Sequence, residues 1–171
     1  MGTTYEAIAT VTVGSGGAAN IEFTSIPATY TDLVLKWSGR AAASSGNTPV
    51  DNMRVTFNSS SSSGYTGKLL YAIPNSVFSV NSDYGTHYVN GGGSTASTFS
   101  NNEIYIPNYT SSNNKSYSAD MVSETNATAG FLALLAQTSS ITAAITTIKF
   151  EVVGYNFAQH STATLYGIKN S

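Results

Sequence analysis

The chain has 171 residues, enough for one domain that buries about two-thirds of its unfolded surface, with seven cations, nine carboxylates and a formal net charge of -2. Charged residues make up only 9% of it, and the cations (Lys36, Arg40, Arg54, Lys68, Lys115, Lys149, Lys169) are scattered, so no basic run tracks a nucleic-acid backbone or an anionic membrane. There is no cysteine, which excludes a disulfide framework and a thiolate metal site and leaves packing or oligomerisation to supply stability.

Polarity comes from Ser, Thr, Asn and Gly, residues that suit short, turn-rich β structure because Ser and Asn bond their own backbone in turns while Thr tolerates strands. The opening MGTTYEAIAT lacks a basic segment followed by an apolar run, so no secretory signal is expected, and Glu6 stands where a myristoylation motif needs Ser or Thr. No apolar stretch approaches the roughly 20 residues that span a bilayer.

Residues 5–13 (YEAIATVTV) alternate as a strand, and Gly14, Ser15, Gly16 and Gly17 read as a hairpin turn into a second strand over 18–23. A phosphate loop is the weaker reading of these glycines, since strand pattern rather than a helix follows them. Residues 21–40 (IEFTSIPATYTDLVLKWSGR) hold two strands and the only tryptophan, and read as a hairpin or a corner between sheets, with Pro27 forcing the turn. Leu33, Leu35 and Trp37 share one face against Val34, Lys36 and Ser38, and that apolar face calls for a covering sheet.

Residues 41–49 form a loop by composition, and 51–57 form a strand with Met53, Val55 and Phe57 inward. The serine run after Asn58 is a loop, and 65–73 is a strand that stops at Pro74. Residues 75–98 have the least periodicity, with short β-prone pieces at 77–80 and 87–89 and a glycine run at 91–93. Irregular stretches of that length in a compact domain are more often functional than idle. Further strands are expected at 102–109, 116–125, 145–153 and 162–169. Residues 131–136 (FLALLA), apolar on both faces, read as a central strand covered on both sides, with a short buried helix as the alternative. Nine or ten short strands without an amphipathic helix predict one all-β domain over 1–171, an antiparallel two-sheet sandwich of jelly-roll type.

Catalytic and metal-binding patterns are missing. His87 and His160 have no second ligand at metal spacing, no Gly-x-Ser-x-Gly elbow exists, and no Asp-x-Asp-x-Asp calcium loop occurs. Asp120 and Glu124 share a strand face but lie about 13 Å apart by strand rise, too far for a retaining glycosidase pair. Asn-x-Ser/Thr triplets at Asn58, Asn108, Asn114 and Asn126 are what this composition produces by chance. No catalytic residue, cofactor or metal ion is therefore expected.

The succession YEAIATVTV, a glycine-rich turn, IEFTSIPATYTDLVLKWSGR, EIYIPNY and the terminal STATLYGIK resembles small virion surface proteins of tailed bacteriophages, from residue 5 to 169. The resemblance implies a stand-alone β-sandwich on the virion surface with a binding or structural role, and no residue-level mechanism. The expectation is a capsid decoration (cement) protein that binds itself, as a homotrimer, and the major capsid protein, with no nucleic-acid or membrane partner. Contact candidates are Tyr84, Tyr88 and Phe99 in the irregular region 84–99, and Asn47 and Pro49 in the loop 41–50. The alternative is a tail-fibre or receptor-binding module for host-surface polysaccharide, with Trp37, Tyr84 or Tyr88 stacking on sugars.

Overall fold

The computed structural model describes residues 5–42, 48–60, 64–124 and 130–169. Twelve strands run β1 (Tyr5–Thr12), β2 (Ile21–Phe23), β3 (Asp32–Ser38), β4 (Val50–Phe57), β5 (Tyr65–Ile73), β6 (Ser76–Asp83), β7 (Thr86–Asn90), β8 (Asn101–Ile106), β9 (Lys115–Glu124), β10 (Gly130–Ser139), β11 (Ile148–Val152) and β12 (Thr162–Ile168). They form two antiparallel sheets, eight strands in the order β1-β12-β3-β8-β9-β10-β5-β6 and four in the order β2-β11-β4-β7. The expected all-β double-sheet sandwich is what forms, with no helix among the described residues. A jelly roll is eight strands in two Greek keys. Twelve strands divided eight and four are more numerous and less evenly shared.

Period-two alternation builds the core. Leu33, Leu35 and Trp37 of β3 and Met53, Val55 and Phe57 of β4 are all buried, as their spacing predicts. Aromatic rings join the sheets, with Trp37 on Phe150 at 5.3 Å and Phe57 edge-on to Tyr117 at 5.3 Å. Val34 faces away from this core yet is buried, set between its cross-strand neighbours Tyr105 and Tyr166.

Three expectations change and one open alternative is decided. The glycine turn closes as expected, with Gly17 N–H on the Gly14 carbonyl at 3.0 Å, but it is not a hairpin. β1 pairs with β12 and β2 with β11, so the turn carries the chain from the large sheet to the small one. Of the two readings of 21–40, the corner between sheets is the one that forms, since β2 and β3 belong to different sheets. The region 75–98 contains two full strands, β6 and β7. β10 is a strand, but it is covered on one side only, because Phe131, Ala133 and Leu135 are buried while Leu132 and Leu134 face outward and are exposed.

Candidate contact surface

Four strands cannot cover eight, and the edge strands at both ends of the large sheet, β1 and β6, are left largely exposed. Eight of the twelve exposed large apolar side chains among the described residues lie on β5, β6, β9 and β10. Cross-strand register places five of them, Leu70, Val77, Val122, Leu132 and Leu134, on the outer face. Val122, Leu132, Ala72 and Val77 stand opposite one another across β9, β10, β5 and β6, and Leu134 stands opposite Leu70 in the next row. Val77 is 77% exposed. Isolated exposed apolar residues are ordinary, but a contiguous set of them marks a contact surface.

The inner face of the same strands carries an aromatic ladder. Tyr88 of β7 meets Phe131 edge-on at 4.8 Å, Phe131 stacks on Tyr71 at 5.8 Å, and Tyr71 stacks on Phe78 at 4.8 Å. The ladder starts in the small sheet and ends at Phe78, where nothing covers the ring and it is exposed with Val80. β6 is thus exposed on both faces at every position but Ser82.

Further along the outer face polar side chains appear, around hollows whose exposed walls are still mostly carbon. A depression of about 540 Å³ there is lined by Thr66, Lys68, Asn81, Asp83, Ser116 and Thr138, among others. A second of about 310 Å³, lined in part by Leu70, Asp120 and Leu134, adjoins it through Lys68 and Ala136. Apolar strip and hollows share one continuous sheet face.

Among the residues expected from sequence to make contacts, Tyr84 is exposed and occupies the two-residue turn from β6 into β7. Tyr84 and Gly85 both have positive φ, 74° and 62°, as a type I′ turn requires. Glycine is needed at 85, where a Cβ would approach the Val55 carbonyl oxygen to 2.5 Å, whereas a tyrosine at 84 takes a conformation that L side chains rarely adopt. Tyr88 is half-buried against Phe131, and burial raises its phenol pKa. Phe99 is half-buried. Pro49 accepts hydrogen bonds at its carbonyl from Gly91 N–H at 2.9 Å and from the Ser94 hydroxyl. Asn47 lies outside the described residues.

The segment 91–100 that holds Phe99 is tied inward by two opposite charges. Arg40 donates to the carbonyls of Thr95 (2.8 Å), Thr98 (3.1 Å) and Ser94 (3.3 Å). The Glu124 carboxylate accepts from Thr95 N–H, from the Thr95 hydroxyl at 3.0 Å and from the Thr98 hydroxyl at 2.8 Å. Its polar groups are therefore engaged within the fold rather than offered outward.

His87 is part of the core. His87 is fully buried between Trp37 and Tyr117, its Nδ1 is bonded to the Gly85 carbonyl at 2.7 Å, and burial lowers its pKa from 6.5 to about 4, which keeps it neutral. No group of three His, Cys, Asp or Glu side chains that could hold a metal ion occurs among the described residues. Comparison with protein-family models, curated proteins and solved structures finds no match. The surface has to speak through its own chemistry.

Sequence reasoning missed the central residues of that surface: Leu70, Val77, Phe78, Val80, Leu132 and Leu134. The signal was present in FLALLA, whose double apolarity fits a strand with an uncovered apolar face as well as one covered twice.

Proposed function

We propose that the chain is a non-enzymatic assembly protein of a phage virion, a capsid decoration protein that binds the major capsid protein and its own copies through the β9-β10-β5-β6 end of the large sheet. The observation that carries this reading is the uncovered apolar face formed by Val122, Leu132, Leu134, Leu70, Ala72 and Val77. Such a face is a liability in an isolated monomer and an asset where a partner covers it. The surroundings fit adhesion rather than turnover, being rich in neutral hydroxyls and amides. Small contacts of this kind gain strength when copies are arrayed on a lattice, since each bound neighbour raises the effective concentration for the next.

The test is the copy number per purified particle, by quantitative mass spectrometry, with imaging of where the protein sits. Hundreds of copies on the head are expected. A few dozen copies at the tail, or none, would overturn the decoration reading.

A second reading, recognition of a host-surface polysaccharide, is favoured by the hollow of about 540 Å³ beside Asp83, an apolar floor bordered by hydroxyl, amide, ammonium and carboxylate side chains. Tyr84 follows Asp83 directly and would supply a stacking ring. A glycan array probed with the wild type and with Asn81→Ala and Tyr84→Ala decides it. Binding lost in both variants supports the reading, and an array blank for the wild type removes it.

A further inference from the structure

The four edge strands of the two sheets are not equally protected. β1 carries a register shift between Ala7 and Ala9 and a Glu6–Lys169 ion pair at 3.3 Å. β2 has only three residues, and β7 has five and is bridged at its end to Arg40. Short length, bulges and charges are the usual defences of a sheet edge. β6 has none of them. It is eight residues long, pairs with β5 in unbroken register from Ser76 to Asp83, contains no proline and no lysine, and carries its single charge, Asp83, at its last position.

We propose that β6 pairs antiparallel with β6 of a second copy of this chain, about a twofold axis at Ser79, so that two eight-stranded sheets become one. The inference rests on the reading of this region as a contact surface and names its occupant. The strand is complementary to itself in this register. Phe78 falls opposite Val80 of the second copy and Val80 opposite its Phe78, an aromatic with a β-branched residue on the face where both are exposed. On the other face Val77 meets Asn81, and Ser79 meets Ser79. The ladder runs over residues 76–82, and the two Asp83 carboxylates fall at opposite ends, about 26 Å apart by strand rise, so like charges do not meet.

A strip of seven residues is about 23 Å long and about 10 Å thick, roughly 460 Å² over the two copies and well under the size of a standard stable interface. The pairing is therefore weak and concentration-dependent in solution, and effective where copies sit side by side. A ring of three would instead need β6 of one copy to join β1 of the next, and β1 is the bulged, ion-paired edge.

Because the chain has no cysteine, a single introduced one reports only contacts between copies. Residues directly opposite on antiparallel strands have Cα atoms about 4.5–5.5 Å apart, within the span a disulfide bridges. Ser79→Cys in the full chain should crosslink to dimer under mild oxidation, while Val77→Cys, whose counterpart is Asn81, should not. Sedimentation velocity of the wild type should show a reversible dimer, and Val80→Lys should shift it to monomer at every concentration with an unchanged circular dichroism spectrum. If Val80→Lys fails to fold, the two cysteine variants decide alone. A strict monomer at several hundred micromolar, a trimer, or equal crosslinking by the two cysteine variants would overturn the proposal. The outcomes separate it from the wider reading. Particles decorated by a protein whose Ser79→Cys variant stays uncrosslinked would leave only the assembly role standing, and crosslinked dimers absent from particles would leave only the pairing.

Discussion

The inner face of the large sheet, where the small sheet packs, and the outer face of β5, β6 and β10 are built from the same strand type and the same alternation, yet they put apolar side chains to opposite uses. Under the small sheet, Leu33, Leu35, Met53, Phe57, Ile104 and Phe150 are sealed from water. On the outer face, Leu70, Val77, Leu132 and Leu134 occupy equally regular positions and stay exposed. What separates them is coverage alone. The outcome of a substitution should therefore follow its place in the sandwich rather than its residue type.

The largest expected effect is in the covered region. Trp37→Ala would empty the space shared with Phe150 and His87 and should cost about 3–5 kcal/mol in a denaturant titration, enough to threaten folding. A loss under 1 kcal/mol would mean that the sheets are not locked at this ring.

A pH titration probes the same core. His87 has a pKa near 4 when folded against 6.5 for the free side chain, so below pH 6.5 the unfolded chain binds a proton that the folded one refuses. The stability from neutral burial is fully present above pH 6.5 and declines as pH falls towards 4, by about 3 kcal/mol over that window at 1.36 kcal/mol per unit. In His87→Phe, where stability at pH 7 is set by how well the larger ring packs, this part of the acid sensitivity should vanish. Equal slopes for the two proteins between pH 6.5 and 4 would show that His87 is solvated.

Smaller effects belong to the polar ties. Lys115 is buried, its ammonium donates to the carbonyls of Ser111 (2.7 Å), Asn113 (2.6 Å) and Ile141 (3.3 Å), and burial lowers its pKa. Lys115→Met keeps the length and strips these carbonyls of their donor, and should cost about 2 kcal/mol. Glu124→Gln should cost about 1 kcal/mol and loosen the segment 91–100, visible as faster amide exchange at Thr95.

The parts legible in the sequence were those decided by alternation. The inward faces of β3 and β4 and the all-β class follow from spacing that a single strand carries within itself. Pairing is a different matter. The glycine turn after β1 has the chemistry of a hairpin, and the chain uses it to change sheets because β12 and β11, far along the sequence, are the partners chosen. Coverage is likewise non-local, since Leu132 and Leu134 look like core residues until it is known that the second sheet packs on the opposite face of β10. Asn58, read as part of a loose serine loop, is a tie whose amide accepts from Thr146 N–H at 2.8 Å and donates to the Ala144 carbonyl at 2.8 Å, partners remote in sequence.

The smallest effect on stability should come with the largest effect on association. Leu132→Ser and Leu134→Ser remove apolar groups that are already half in water, so each should change unfolding free energy by no more than about 0.5 kcal/mol. The same changes take two anchors from the uncovered rows, and the double variant should bind particles at least tenfold more weakly than the wild type, or not at all. A stability loss as large as that of Trp37→Ala would mean that the outer face is packed from within. Undiminished particle binding would move the contact surface to another part of the sandwich, since a face that tolerates hydroxyls at its centre has no partner to hold.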